Sequence, residues 1–572
     1  MPGRTFPAGL AVVALVVLCA AGAALGRVAP PEPRETEPAK HWVCFTDKNL
    51  TRDGERSAID AFRAGLPERA LRRRARVGME VNVNDLPVAG SYVDAVREAG
   101  AEIVAKSRWM NAVSVRADRA ALLLIESLPF VREVRQVASG RREIPVTRPA
   151  PSSAEIPQDE RALEYGISYY QLKRIQITGL HNDGFDGEGI LIAMLDTGFD
   201  TDHEAYRQLD IHAERDFIYD DAETANEMED PVGQDSHGTM TLSCVGAALD
   251  GTIYGGSYEA SFVLCKTEMI GQEIEVEEDY WVEAVEWADS LGSDIVSSSL
   301  GYIDWYAYED MDGNTAVTTV AADMAAARGI VVVNSMGNEG SNPWKYMIAP
   351  ADGDSVISVG ALDTGGARAS FSSVGPTADG RIKPDVMVQG IDVYVATTQD
   401  TSSYAYANGT SFSCPLTAGA IGLLLQGHPQ WTPVDVADAL RSTATRSDSP
   451  DTLMGWGKVQ ARDAMYSEPT GVDDGAPDEP RPARLAWARP NPARGETSLE
   501  YVVASPARVR VSVYDVAGRL VRELRDAPRA AGSYAEYWDG RDASGAPVAS
   551  GVYLARVSVG AERAGVKVVL LR

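Results

Sequence analysis

Cysteine is scarce in this chain. Five occur in 572 residues, and none forms a C-x-x-C pair. A disulfide framework is therefore not expected. Cys244 and Cys265 sit in apolar stretches and read as small core residues, with a bridge between them as the alternative. Histidine is nearly as rare, with six residues and no zinc-type spacing, so a catalytic metal is not expected. Basic residues are outnumbered: 53 Lys and Arg stand against 82 Asp and Glu, a net charge of −29. That balance argues against nucleic acid or an anionic membrane surface as a partner. Long apolar runs are also lacking, save one. Ala8 to Leu25 is almost wholly apolar, follows Arg4, and closes in small residues at Ala21-Gly22-Ala23. It reads as an export signal over 1–26, with no transmembrane span after its removal and a secreted or cell-surface product.

The length calls for more than one core. Residues 41–137 mix short helical and strand-like stretches and predict a small α+β domain. Strands are expected at His41–Phe45, Asn111–Val115 and Val131–Val137. Helices are expected at Ser57–Ala64, Val93–Ala99 and Ala120–Leu128. The run Arg72-Arg73-Arg74 reads as a solvated helix face. Residues 138–162 are rich in Pro, Ser and charge and read as an exposed linker, the expected region of maturation cleavage. From 163 to 467, strand and helix alternate. Short apolar runs at Ile190–Leu195, Phe262–Lys266, Ile295–Ser298, Ile330–Val333 and Val356–Val359 suit buried parallel strands. Helical stretches intervene at Glu278–Ser290, Val317–Ala327 and Leu416–Gln426. A doubly wound α/β domain with a mostly parallel sheet is predicted. A Pro/Asp/Gly linker spans 468–484. Residues 485–572 carry short strands at regular spacing and read as a β-sandwich.

Three short motifs carry the chemistry. Asp196 lies in Leu195-Asp196-Thr197-Gly198, His237 in Ser236-His237-Gly238-Thr239, and Ser411 in Gly409-Thr410-Ser411-Phe412. A hydroxyl is a poor nucleophile at neutral pH. It needs a base within hydrogen-bond reach, and the base needs a carboxylate to fix its tautomer. Asp196 directly follows a predicted strand, where sites in parallel sheets collect. The apolar run after Ser411 predicts that Ser411 opens a helix.

In the order Asp, His, Ser, and with Asn338 in Gly337-Asn338-Glu339-Gly340, the chain resembles the subtilisin-like serine proteases (subtilases). The resemblance implies a secreted serine endopeptidase made as a self-inhibited precursor and acting on protein or peptide substrates. It implies Asp196, His237 and Ser411 as catalytic residues and Asn338 as a side-chain donor to the oxyanion. Ser299-Leu300-Gly301 resembles the family segment that pairs with extended substrate backbone. Residues 41–137 resemble the inhibitory propeptide. Pro490-Asn491-Pro492, Trp538-Asp539-Gly540 and Ser550-Gly551-Val552-Tyr553 resemble the FlgD-like immunoglobulin-type module, relatives of which sort proteins for type IX secretion. A secretion machinery is therefore an expected partner. No cofactor is needed for the chemistry. A structural Ca²⁺, which many subtilases bind, has oxygen ligands to hand in Asp220–Asp230 and Glu273–Asp279. No ligand spacing is recognisable there, and both stretches read as solvated surface.

Two departures and two rival chemistries accompany this reading, and the alternative outside enzymes is a catalytically silent surface or adhesion protein, which the C-terminal β-module suggests. Met240 follows the His motif where many relatives have a second His, and Phe412-Ser413 follows the nucleophile where many have Met-Ala. Cys414 invites a thiol nucleophile, but the Gly-Thr-Ser frame points to Ser411. A second Asp-Thr-Gly triplet at Asp363 invites a paired-aspartate mechanism, which would leave His237 and Ser411 unexplained.

Overall fold

Residues 40–136, 147–149, 163–270 and 274–467, and most of 484–570, are described by the computed structural model. The predicted signal over 1–26 and almost all of the two predicted linkers lie outside the described residues. The chain divides into two compact units, residues 1–470 and 471–572.

The first unit opens with a four-stranded antiparallel sheet. Its elements are β1 (Lys40–Phe45), α1 (Arg52–Gly65), α2 (Glu68–Arg76), α3 (Gly90–Glu98), β2 (Glu102–Ser107), β3 (Ala112–Arg116), α4 (Arg119–Glu126) and β4 (Val131–Gln136). The strand order is β2-β3-β1-β4. Val43, Phe45, Val113 and Val115 share a core with Tyr92, Val96 and Ile125, so one face of the sheet is closed by α3 and α4. β2 escapes sequence reading because its three apolar residues are consecutive rather than alternating.

The second part of this unit is a seven-stranded, wholly parallel sheet. In chain order its strands are β5 (Leu191–Asp196), β6 (Asp210–Asp216), β7 (Ser261–Lys266), β8 (Ile295–Ser298), β9 (Val331–Ser335), β10 (Ile357–Leu362) and β11 (Val386–Gln389). The spatial order is β11-β10-β9-β8-β5-β7-β6. Helices cover both faces, chiefly α5 (Ser236–Gly246), α6 (Val276–Leu291), α7 (Val317–Ala327) and α8 (Thr410–Gly427). Side chains alternate across a strand, and β5 displays the consequence. Ile192 and Met194 enter one core, with α5 and α8, while Leu191, Ala193 and Leu195 enter the other, with α6 and α7. Burial on both faces is why these strands read as continuous apolar runs. β11 also carries such a run, Val386-Met387-Val388, too short to stand out, whereas β6 was not readable that way. β6 is an edge strand of sequence Asp-Ile-His-Ala-Glu-Arg-Asp.

Cys244 packs in the first core and Cys265 in the second, on opposite faces of the sheet, and both are free thiols. Within the predicted 138–162 linker, Thr147–Pro149 pairs as a strand with Ser403–Ala407.

Two surface expectations are corrected. Arg73 and Arg74 are buried. Arg74 forks onto Asp85 at 3.0 and 3.0 Å and reaches Asp289 of α6 at 2.6 Å. Arg73 bonds the Asp289 carboxylate and the Ser293 carbonyl. Arg328 completes the set on Asp85 at 2.9 Å. Likewise Glu277, Glu278 and Asp279 are buried, and Asp279 meets Lys40 of β1 at 2.7 Å. Charge runs look solvated when one segment is read alone. Here the N-terminal sheet and α2 dock on α6, where Asp279 meets Lys40 and Asp289 meets Arg73 and Arg74, while Glu277 and Glu278 are held by neutral donors on their own side.

The second unit is a β-sandwich of two antiparallel sheets. One holds Arg484–Arg489, Thr497–Val503 and Gly532–Trp538. The other runs in the order Leu520–Arg529, Ala507–Asp515, Gly551–Val559, Glu562–Leu570. Leu499, Tyr501, Val509, Val511, Trp538 and Val557 fill its interior. The edge strand Leu520–Arg529 was missed because it is rich in charge and carries Pro528, both usual at sheet edges.

Candidate active site

The site stands at the carboxyl ends of β5, β8 and β9, three neighbours in the sheet. Asp196 is the last residue of β5. His237 is the second residue of α5, and Ser411 the second of α8. The two helices pack against each other.

His237 Nδ1 lies 2.6 Å from Asp196 Oδ1. Thr197 N–H donates to the same oxygen at 2.8 Å, and the Thr241 hydroxyl to Oδ2 at 2.9 Å. Burial alone would raise the Asp196 carboxyl. The adjoining His237 ring and the two donors outweigh it and hold the group below the usual carboxylate range. A carboxylate on Nδ1 keeps the proton there and leaves Nε2 as an acceptor. Nε2 is buried and has no hydrogen-bond partner among the described residues. Ser411 is 2% exposed. No Ser411–His237 hydrogen bond is formed, and such bonds commonly tighten only with substrate in place.

Glycine makes the close approach of α5 possible. A Cβ at Gly238 would sit 2.1 Å from the Gly198 carbonyl oxygen and 3.0 Å from the Asp196 Cβ. Gly409 enters α8 at φ +152°, in the region that favours glycine. Because α8 begins at Thr410, the Ser411 N–H has no acceptor within its own helix, and the helix dipole makes that spot favourable for an anion.

Asn338 follows β9 by three residues and is half-buried. Its Oδ1 accepts from Thr410 N–H at 2.9 Å and from the Thr410 hydroxyl at 3.0 Å. That fixes the amide and leaves Nδ2 as the free donor. Ser299 and Leu300 follow β8 and are buried. The Ser299 hydroxyl donates to the Ser411 carbonyl at 2.7 Å, and the Leu300 carbonyl accepts from Asn334 at 3.0 Å. Gly301 is half-buried.

The rivals are not brought to this place. Cys414 is buried, burial pushes its thiol up to about 12, and its sulfur points at the Ser298 and Val333 carbonyls. Asp363 caps a turn by accepting from Gly365 and Ala367.

The acidic stretches are already engaged. Carboxylate oxygens of Asp216, Asp221 and Glu227 gather within 4.8 Å of one another. Lys266 Nζ stands beside them, 2.7 Å from Asp216 and 2.7 Å from Asp230. A buried ammonium inside the ligand set does not fit a Ca²⁺ site. In the other stretch Glu277 accepts from Met269 and Ile274 N–H, and Glu278 from Trp305 and Tyr306.

Sequence reasoning missed Thr241, Thr410 and Lys266. Thr241 had a signal, since it lies four residues after His237 on one helix face. Thr410 and Lys266 act across the fold and had none.

Three family models match the chain. Residues 187–457 match the subtilase family, 40–150 the peptidase S8 propeptide domain of Bacteroidota, and 491–563 the FlgD Ig-like domain. Subtilisin NAT of Bacillus subtilis subsp. natto is 31% identical over 354 residues, covering 62% of this chain and 80% of that protein. A subtilisin of Bacillus pumilus is 33% identical over 286 residues, 50% of this chain and 92% of that one. Among solved structures, fervidolysin from Fervidobacterium pennivorans, a keratinolytic enzyme related to subtilisin, aligns with a TM-score of 0.56 at 21% identity. The alignment covers 92% of this chain and 72% of that structure.

Proposed function

This chain belongs to the subtilase family of serine endopeptidases, and from that premise we propose that Ser411 is its nucleophile, His237 its general base and Asp196 the carboxylate that orients the base. The observation that carries the reading is the Asp196–His237 contact of 2.6 Å, which leaves Nε2 bare on a ring whose centroid lies 6.1 Å from that of Phe412, the residue after Ser411. Ser411 Oγ attacks the scissile carbonyl as His237 Nε2 takes its proton. His237 then returns the proton to the leaving amine, and water repeats the cycle on the acyl-enzyme. The Ser411 N–H and Asn338 Nδ2 donate to the developing oxyanion. Ser299-Leu300-Gly301, at the carboxyl end of β8, receives the substrate backbone.

The proposed order of parts is a signal peptide over 1–26, a propeptide over 41–137, a linker over 138–162, the catalytic domain over 163–467, a linker over 468–484 and the β-module over 485–572. The propeptide inhibits the enzyme by remaining docked on α6, and the product is secreted or held at the cell surface. The C-terminal module serves the export machinery, with type IX sorting as the specific form. Among the described residues no helix is long and apolar enough to cross a membrane.

The test is fluorophosphonate labelling of the matured protein, with the modified residue located by mass spectrometry. Label on Ser411 that disappears in His237→Ala is expected. Absence of label on matured protein, or label elsewhere, overturns the assignment.

A further inference from the structure

The loop that delivers His237 closes around a lysine, and we infer that Lys266 is a positioning residue for the proposed catalytic histidine, its ammonium doing the work of a bound divalent cation. The inference rests on the reading of His237 as the base.

Lys266 ends β7. In the sheet register it stands opposite Asp196 on β5 and opposite Asp216 on β6. Its side chain is fully buried, with Nζ 2.7 Å from Asp216 Oδ2, 2.7 Å from Asp230 Oδ2 and 3.5 Å from Glu227 Oε2. Asp216 and Asp230 are also fully buried as side chains. Carboxylates this close in a poorly solvated place repel one another unless a cation lies among them. The loop from 216 to 235 brings Asp216, Glu227 and Asp230 to one point, as a chelating loop does, and the chain's own ammonium meets them there.

The clasp reaches the site through a short series of hydrogen bonds. Asp230 Oδ2 also accepts from Glu227 N–H at 2.9 Å. The neighbouring Asn226 accepts from Gln234 N–H at 2.7 Å and donates its own N–H to Asp235 at 3.1 Å. Gln234 Nε2 donates to the Thr197 carbonyl and to the Glu268 carbonyl, both at 2.6 Å. Thr197 follows Asp196, Asp235 precedes α5, and Glu268 lies two residues beyond Lys266. One network therefore ties the lysine to the start of the His237 helix and to the residue after the orienting carboxylate. Loosening it shifts His237 relative to Asp196 while leaving Ser299-Leu300-Gly301 and Asn338 in place.

The experiment uses the full chain after maturation, with a peptide substrate. Lys266→Met is expected to lower kcat about tenfold or more with KM within about twofold. Addition of millimolar Ca²⁺ to Lys266→Met, or the substitution Lys266→Arg, is expected to restore most of kcat, because either puts a cation back among the three carboxylates. A role in folding alone would lower Tm and yield without this split or this rescue. Unchanged kcat in Lys266→Met, or a loss that neither Ca²⁺ nor Arg restores, overturns the inference. If Lys266→Met does not accumulate, Asp230→Asn removes one anchor and keeps the ammonium. It is expected to lower kcat about threefold or more, and unchanged turnover there overturns the inference equally. A wild-type protein that shows no activity would count against the assignment of His237 itself.

Discussion

Thr410 gives both its backbone N–H and its hydroxyl to the same oxygen of Asn338, at 2.9 and 3.0 Å. The residue before the proposed nucleophile thus sets which way the amide faces. Asn338→Leu removes the donor and keeps the bulk, and kcat is expected to fall about 10²–10³-fold with KM little changed. Thr410→Val removes only the hydroxyl and is expected to cost about tenfold or less, since the N–H anchor stays. Steady-state kinetics on a chromogenic peptide separates the two.

A methyl group at Gly238 has nowhere to go. It would overlap the Gly198 carbonyl oxygen at 2.1 Å. Gly238→Ala is expected to push α5 off β5 and break the Asp196–His237 contact. The rate of fluorophosphonate labelling is expected to fall about 10²-fold or more, since a serine without its oriented base is a weak nucleophile. Labelling at the wild-type rate would contradict the account.

The docked propeptide depends on Arg73 and Arg74, buried against Asp289 and Asp85. Removing one partner of a buried ionic set typically costs about 3–5 kcal/mol. The isolated segment 41–137 is expected to inhibit the mature enzyme in trans. Its Arg74→Met form is expected to inhibit about 10²-fold less well or worse, by the same range. Circular dichroism of the segment distinguishes lost docking from lost folding.

Asp323 on α7 supplies a pH signature. It is almost fully buried, and burial first, then the nearby Asp354 and Asp352 charges, raises its carboxyl to about 7. The folded chain therefore holds a proton that the unfolded chain has released between about pH 4 and 7. That group's contribution to stability is full at acid pH and is lost as pH rises through 7. Inactive Ser411→Ala protein is expected to unfold at lower denaturant at pH 8 than at pH 5. Asp323→Asn, which cannot titrate, is expected to shrink that difference.

Much of the proposed site is legible because its chemistry is written locally. Asp196, His237, Ser411 and Asn338 each sit in a short motif next to a strand end or a helix start, and the apolar runs of β5, β7, β8 and β9 announce a buried parallel sheet. What stayed hidden depends on partners far along the chain. Arg73 reads as solvated until Asp289 is brought to it, and Lys266 reads as the end of a strand until Asp230 arrives. Strand β6 and the sandwich edge Leu520–Arg529 were hidden for another reason. Edge strands face water, so their sequences carry charge where a central strand carries Val or Ile.

β5 sends Ile192 and Met194 to one core and Leu191, Ala193 and Leu195 to the other before ending in Asp196. The strand works as a tie-rod between two packed layers, which set where its reactive end lies, and the donors on the Asp196 carboxylate then set how it is turned. A cavity opened in either layer, even one well away from His237, is transmitted along the rod as a small displacement of the carboxylate. Silent-looking substitutions such as Ile192→Val or Leu195→Val therefore offer a means of tuning turnover from inside the fold, with the substrate-facing surface left untouched.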